Sequence, residues 1–362
     1  MKRIGVLTGG GDAPGLNAVL RAVVRTAERV YGAEVIGILD GFKGLLDGRF
    51  RHVGGQDVRE LIRMGGTVLG TTNRDNPFAC PGENPGDTPI DRSAECLENA
   101  RKAGFDALII IGGDGTLRIA SDLGRQGLNV IGVPKTIDND LASTDYTFGF
   151  WTAIDTATEA LDRLRDTAES HHRVMILEVM GRHAGWIALH AGIAGAADVI
   201  LIPEIPYDPH SVAKTVVRCQ ERGRASSLLV VAEGAMPRGG EMAVVAVDAI
   251  TGVKRLGGAG ERLARELEAL TRCDVRVTVL GHLQRGGSPV AFDRILATRF
   301  GEAAVHVAMA GRFNRMIRLA DGCIEDVDLE EAVRKVKLVD PSGPGGALLK
   351  SARALGIAFG DE

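Results

Sequence analysis

Two carboxylates at i and i+2, Asp138 and Asp140 in Pro134-Lys135-Thr136-Ile137-Asp138-Asn139-Asp140, are the residues of this sequence best placed for acid–base work. One could take a hydroxyl proton while the other orients it or helps with a metal, the division that phosphoryl transfer needs. Asx residues also make good turns and caps, so this loop alone fits a plain turn equally well. Gly112-Gly113-Asp114-Gly115-Thr116 carries complementary chemistry, because its glycines clear space for phosphates and Asp114 supplies the hard oxygen that Mg2+ requires. A third loop, Thr8-Gly-Gly-Gly-Asp-Ala-Pro-Gly-Leu-Asn17, lets backbone approach an anion just before a helix N-terminus. It has neither Gly-x-Gly-x-x-Gly spacing nor a Walker lysine, and a tight turn without ligand is its competing reading.

Cations follow in the second half. Glu178-Val-Met-Gly-Arg-His-Ala-Gly-Trp186 puts Arg182 where it could neutralise a transferring phosphate, although a lone arginine after a strand is more often a solvated charge. Arg276-Val-Thr-Val-Leu-Gly-His-Leu-Gln-Arg-Gly-Gly287 carries Arg276, His282 and Arg285 on one strand-turn unit, a cationic cluster suited to a sugar phosphate dianion. His171 and His172 are adjacent, do not face each other on one element, and read as structural.

These loops need elements to hold them. Ile4–Leu7, Val35–Ile38, Ala107–Ile111, Val130–Val133, Val174–Val179, Val199–Ile202, Leu228–Ala232 and Arg276–Leu280 are short apolar runs that alternate with helical patterns. Such alternation predicts parallel sheets covered by helices, with ligands at the strand C-termini where the 48 glycines cluster. Helices are expected from about Asn17 to Glu28, from Thr152 to about Ser170, and from Ser288 to Gly301. Met236–Gly260 reads as an insertion around one strand-like run, Ala243–Val247, and the tail after Asp340, rich in proline and glycine, as surface structure.

At 362 residues two α/β domains are the better expectation. The fold class is α/β, two Rossmann-like domains with mostly parallel sheets covered by helices and the active site in the cleft between them. The first comprises residues 1–141 plus 287–335, the second 142–286, and 336–362 form a C-terminal extension. A net charge of -4 leaves no global field for nucleic acid or anionic lipid, so any anion site must be local. Five scattered cysteines without a C-x-x-C pair fit a reducing cytoplasm, and the first apolar run is too short for a signal h-region or membrane span.

Taken in order from about Met1 to Gly301, the five motifs resemble the phosphofructokinase family. The resemblance implies a 6-phosphofructokinase that phosphorylates the 1-hydroxyl of fructose 6-phosphate from Mg-bound ATP, as a tetramer or dimer whose sugar-phosphate site is completed by a neighbouring subunit. It makes Gly10, Arg74, Asp114, Gly115 and Thr116 contacts to the donor phosphates, with Asp114 on Mg2+, and makes Asp138 the base, assisted by Arg182 and Arg74. Thr136, Asp140, Met180, Gly181, Arg182 and Glu233 become sugar and transition-state contacts. Arg173, Arg276, His282 and Arg285 hold the sugar phosphate, Arg173 and Arg276 from across an interface. Gly115 and Lys135 bear on the donor: pyrophosphate-dependent members commonly carry aspartate and lysine there, ATP-dependent bacterial ones glycine at both. This chain has one of each, and Gly115 weighs more because an aspartate would repel the nucleotide α-phosphate. Arg21 and Arg25 match the family's bacterial ADP and phosphoenolpyruvate effector site, whereas Gly54-Gly55 and Arg224-Ala225-Ser226 stand where further basic contacts are expected. The alternatives are a pyrophosphate-dependent phosphotransferase on the same fold and, more distantly, a non-catalytic sugar-phosphate sensor.

Overall fold

The computed structural model describes residues 1–82, 88–224, 226–247 and 254–362. In chain order its strands are β1 (Arg3–Thr8), β2 (Glu34–Ile38), β3 (Phe50–His52), β4 (Ala107–Gly112), β5 (Val130–Pro134), β6 (Val174–Val179) and β7 (Val199–Leu201). There follow β8 (Ser227–Ala232), β9 (Val244–Val247), β10 (Lys254–Leu256), β11 (Val275–Val279), β12 (Arg315–Ala320) and β13 (Cys323–Asp328). Seven of them form one sheet in the order β13-β12-β5-β4-β1-β2-β3, four form another in the order β11-β6-β8-β7, and β9 pairs with β10 in a ribbon.

The interior of each sheet is parallel, and antiparallel pairing is confined to the edge strands β3 and β13. Continuous apolar sequence explains this. β4 (Ala-Leu-Ile-Ile-Ile-Gly) is buried along its whole length, as only a strand with helices over both faces can be. The helix Leu16–Tyr31 turns a face of Leu16, Val19, Leu20, Val23, Val24 and Ala27 onto this sheet and stops at Gly32, which is left-handed at φ 61°. It crosses the helix Ala291–Met309 at Gly301, where a Cβ would lie 2.6 Å from the Val19 carbonyl oxygen.

Successive connections leave β1 in one direction toward β2 and the other toward β4 and β5, so the order reverses between β1 and β4. Ligands in open α/β sheets bind at such a crevice, and the triple-glycine loop and the Gly112–Thr116 loop both open there. The chain then crosses to the second sheet along the helix Phe150–His171 and comes back along Ala291–Met309 to add β12 and β13 to the first.

Three sequence expectations change. The helix expected from Ser288 begins at Ala291, because Pro289 biases Ser288 away from helical backbone and Val290 is extended, its N–H donated to Thr152 Oγ1 at 3.1 Å. The run around Ala243–Val247 is one half of the β9/β10 ribbon, whose connecting residues 248–253 lie outside the described residues. The tail is not surface structure. It forms the helix Pro344–Ala354 and then runs along the outer edge of the second sheet, where Ala358 bridges Val199 in parallel. Ile200 N–H donates to the Ala358 carbonyl at 2.9 Å, and Ile357, Ala358 and Phe359 are buried. Covering the open edge of β7 satisfies backbone groups that would otherwise be available to another strand.

Phe359 is wholly buried in the core of the second sheet. Phe359→Ala should therefore cost about 3–5 kcal/mol in urea unfolding, against under about 0.5 kcal/mol for a residue of an exposed tail. A shift of the smaller size would return the tail to the surface.

Candidate active site

The carboxylate loop begins where β5 ends. Lys135 continues the sheet by donating its N–H to the Gly112 carbonyl at 2.9 Å, then the chain turns sharply through Asn139 at φ 51°. Asparagine tolerates this left-handed backbone better than most residues, and its Oδ1 accepts the Thr147 N–H at 3.1 Å. Thr147 Oγ1 in turn donates to the Thr136 carbonyl at 2.6 Å, and Thr136 Oγ1 accepts the Asp138 N–H at 3.1 Å. The two aspartates are thus held on either side of a fixed turn.

Their carboxylates are left wanting. Asp138 Oδ1 and Asp140 Oδ1 are closed off from solvent with no hydrogen-bond partner. Burial first and Asp140 second push the Asp138 carboxyl up to about 7, with Glu233 acting the same way and Arg285 and Lys135 opposing. Asp140 is raised as well, by burial and then by the charge of Asp114. A carboxyl poised near neutrality with an unused oxygen is what a general base for a hydroxyl requires.

Facing it is the triple-glycine loop after β1. Gly9 N–H donates to the Ile111 carbonyl and Gly10 N–H to the Thr72 carbonyl, both at 2.9 Å, while Thr71 Oγ1 holds the Gly10 carbonyl at 2.7 Å. Gly10 is left-handed at φ 77°, and a Cβ on Gly9 would come within 2.7 Å of Thr116. The Lys135 ammonium donates to the Gly11 carbonyl, and Arg285 Nη1 donates to the Asp12 carbonyl at 3.1 Å. Burial and the neighbouring Arg285 lower Lys135 to about 8. Two cations therefore grip the loop from beneath and face the aspartates.

Asp114 opens the helix Asp114–Arg125. Its Oδ1 accepts the Gly115 N–H at 2.6 Å, and its other oxygen is 3.7 Å from Arg118 Nε. Thr116 is buried against the glycines, whereas a Cβ at Gly115 would meet nothing within 4 Å. Arg74 is exposed on the neighbouring loop, its N–H on Thr72 Oγ1 at 3.2 Å.

From the second sheet, the ends of β6 and β8 converge. Gly181 is at φ 139° with its carbonyl accepting the Gly234 N–H at 3.1 Å, and Glu233 N–H donates to the Val179 carbonyl at 2.8 Å. Glu233 is raised by burial and Glu178, with Arg285 and Arg182 opposing, so both arginines lie within its field. Met180 N–H points at Gln284 Oε1 at 3.4 Å, a contact from the fully buried Gln284 that sequence reading missed. His282 is exposed on the 3-10 turn Gly281–Arg285.

Arg276 does not join this group. It is the second residue of β11, near Arg173 just before β6, and both guanidiniums clamp one carboxylate: Arg173 Nε to Asp274 Oδ2 and Arg276 Nη1 to Asp274 Oδ1, each at 2.5 Å. Six residues of β6 put about 20 Å between that pair and the Met180–Arg182 turn. The single cationic cluster expected from Arg276, His282 and Arg285 is corrected to two separate ones, because an extended strand carries Arg276 to the far end of the sheet. Asp274, adjacent in sequence to neither arginine, had no signal of its own.

Among the described residues no three His, Cys, Asp or Glu side chains form a metal cage. What exists, the half-exposed Asp114 at a helix N-terminus with Asp140 in its field, fits an ion that arrives largely coordinated by phosphates and water, as Mg2+ does. Arg21 and Arg25 line a separate cleft of about 500 Å³ with Arg29, Arg59 and Glu60. Gly54 and Gly55 bring no side chain there, Arg224 is engaged with Asp198 at 2.6 Å, and Ala225 lies outside the described residues.

The sequence pattern of the family described as phosphofructokinase matches residues 3–308. The chain belongs to the phosphofructokinase family. It is 53% identical over 362 residues to an ATP-dependent 6-phosphofructokinase of Chloroflexus aurantiacus, covering 100% of this chain and 98% of that protein. It is also 51% identical over 340 residues to a pyrophosphate–fructose 6-phosphate 1-phosphotransferase of Amycolatopsis methanolica, covering 94% and 96%. Its fold matches a crystal structure of Pichia pastoris phosphofructokinase with TM-score 0.80 at 31% identity, across 98% of this chain but only 37% of that longer one. Membership in the family accounts for the two sheets.

Replacing Asp138 by Asn, which keeps the shape and removes the base, should lower kcat about 10²- to 10⁴-fold while substrates still bind. Because the reaction needs Asp138 ionised and its pKa is raised, wild-type activity should fall as pH drops through about 7 rather than through the ordinary carboxylate range. Near-native turnover in the variant would remove Asp138 from the mechanism.

Proposed function

We propose that this chain is an ATP-dependent 6-phosphofructokinase, transferring the terminal phosphoryl group of ATP to the 1-hydroxyl of fructose 6-phosphate to give fructose 1,6-bisphosphate and ADP, a step of glycolysis. The observation that carries the reading is the unpartnered, near-neutral Asp138 carboxylate set against a glycine loop backed by Lys135 and Arg285. A sugar-phosphate sensor would have no use for a base.

Asp138 accepts the hydroxyl proton as the sugar oxygen bonds to phosphorus, and the bond from phosphorus to the ADP oxygen breaks. Charge carried on the transferring group is met by Arg182 and Arg74. Thr136, Asp140, Met180, Gly181 and Glu233 shape the sugar side, and Gly10, Gly115 and Thr116 the donor side. Asp114 would hold Mg2+, which when bound neutralises donor phosphate charge. Residues 1–141 with 287–335 serve the donor, and 142–286 the sugar phosphate through His282 and Arg285.

Arg173 and Arg276, about 20 Å from the turn that carries Arg182, serve the site of a neighbouring subunit in a homodimer or homotetramer. Mixing Asp138→Asn with Arg276→Ala subunits should then restore activity through hybrid oligomers. Failure after verified subunit exchange would exclude supply across the interface. The protein is cytoplasmic in this reading; among the described residues no helix is long and apolar enough to cross a membrane.

Pyrophosphate as donor is favoured by one observation, Lys135 at the glycine loop. Its ammonium is already engaged with the Gly11 carbonyl, whereas the space beside Gly115 stands open for a nucleotide. Gly115→Asp should fold, since the site is unobstructed and an acid suits a helix N-terminus. The new charge would face the ATP α-phosphate and repel it by several kcal/mol at an effective dielectric of about 20. We expect kcat/KM for ATP to fall at least about 100-fold, roughly 2.7 kcal/mol, and any pyrophosphate activity far less. Faster wild-type turnover with pyrophosphate than with ATP in parallel assays would reverse the choice of donor.

A further inference from the structure

Residues 336–339 lie beyond the 3–308 matched by the family pattern, yet they are bound to the loop that carries both carboxylates. Val336 bridges Leu141 in antiparallel fashion, and the Lys337 N–H donates to the Asp140 carbonyl at 2.7 Å. From the same residue the side chain reaches onward, its Nζ donating to the Thr144 carbonyl at 3.1 Å and the Asp145 carbonyl at 2.5 Å. The ammonium sits 5.7 Å from the ring centre of Tyr146 and 5.4 Å from that of Trp186, within cation–π range of both. Trp186 Nε1 donates back to the Lys337 carbonyl at 2.8 Å, and Val339 N–H is held by Glu204, which also takes the Gly185 N–H.

One lysine thus holds three backbone carbonyls, those of residues 140, 144 and 145, directly after Asp138. Bonds within the segment fix the turn at Asn139, but the two unpartnered carboxylate oxygens contribute nothing to holding it, and Lys337 adds a hold from outside just beyond them. We infer that Lys337 is a positioning residue for phosphoryl transfer, clamping the Asp138–Asp145 segment to the start of the helix Trp186–Ala194 so that the base keeps its place in the cleft. The inference rests on the reading of Asp138 as the base. Burial lowers Lys337 to about 8, with Asp145 and Asp140 opposing, in keeping with an ammonium enclosed by the clamp. Misplacing a catalytic group by about 1 Å can cost on the order of 10²-fold in rate, so a clamp remote from the chemistry can act on kcat.

Lys337→Met keeps the stem against the rings and removes only the ammonium. Expected are a kcat lowered about tenfold or more, KM for ATP and fructose 6-phosphate within about twofold of wild type, and faster amide hydrogen exchange at residues 138–147 with exchange in β4 and β5 unchanged. Lys337→Arg, which restores a cation between the rings, should recover much of the lost kcat. Wild-type kcat, or unchanged exchange at 138–147, in Lys337→Met would overturn the inference, as would slower turnover that Lys337→Arg does not relieve. Should Lys337→Met fail to fold, Trp186→Phe takes its place: it retains an aromatic body, releases the Lys337 carbonyl, and should lower kcat and speed exchange in the same segment, no change in either counting against the clamp. Hydrogen exchange does not involve the chemical step. An active Asp138→Asn enzyme would therefore sink the assignment of the base, while the clamp stands or falls on the loop's exchange.

Discussion

Placing like charges together away from water is costly, and a fold that does so must supply the compensation from elsewhere in the chain. Asp138 has Asp140 and Glu233 in its field, and Asp140 has Asp114. Lys135, in the same loop as Asp138, offsets only part of this. The other opposing charges arrive from separate strands: Arg182 from the end of β6 and Arg285 from the turn after β11. The site therefore exists only where the C-terminal ends of strands from two sheets meet, and both crossing helices, Phe150–His171 and Ala291–Met309, serve to bring them there. Asp293 joins those helices, its Oδ2 accepting from Thr152 N–H at 2.8 Å and Thr152 Oγ1 at 2.6 Å in a fully buried contact. The compensation is incomplete, and burial together with the residual charge imbalance raises Asp138 into a useful range.

Elements buried on both faces were legible in the sequence, because β1, β4, β5, β6 and β8 have to be continuous apolar runs and stand out from their surroundings. The partly exposed strands β3, β12 and β13 were not. β12 reads Arg-Met-Ile-Arg-Leu-Ala, and its arginines hide a strand whose charges are met across the hairpin, Arg315 by Asp326 and Arg318 by Glu325, each at 2.7 Å. Those partners come from β13, so neither strand can be recognised without the other. The tail misled for a different reason. Proline and glycine mark its turns at 341–346, but the residues that pack, Leu349, Ala352, Ile357 and Phe359, are too few and too irregular to announce a core.

Within the site, residue types were easier to read than positions. Each glycine loop and the aspartate loop is a local motif, so its chemistry is contained in a few consecutive residues. Arg276 and Arg285 are nine positions apart, and only the conformation between them decides whether they share a ligand. Five residues of β11 followed by a 3-10 turn send them to opposite ends of the sheet. Lys337 shows the opposite case. Nothing in Arg-Lys-Val-Lys-Leu distinguishes it from a surface lysine, and its significance comes from Tyr146 and Trp186, some 150 to 190 residues away in the chain.

Donor choice depends on the same distinction between type and position. A relative named for ATP is 53% identical across the whole of this chain and one named for pyrophosphate 51% identical across 94% of it, so the comparison leans to ATP and the residues supply the reason. As residue types, Gly115 and Lys135 point in opposite directions. As positions they are not equivalent. Lys135 is buried with its ammonium on the Gly11 carbonyl, which makes it a support of the glycine loop whichever donor lies above. Gly115 is exposed, and its missing side chain leaves open space at the helix N-terminus that a nucleotide could use and pyrophosphate would not need. A residue committed to the backbone constrains the donor less than a space left empty, and this inequality gives the reading of ATP its physical ground.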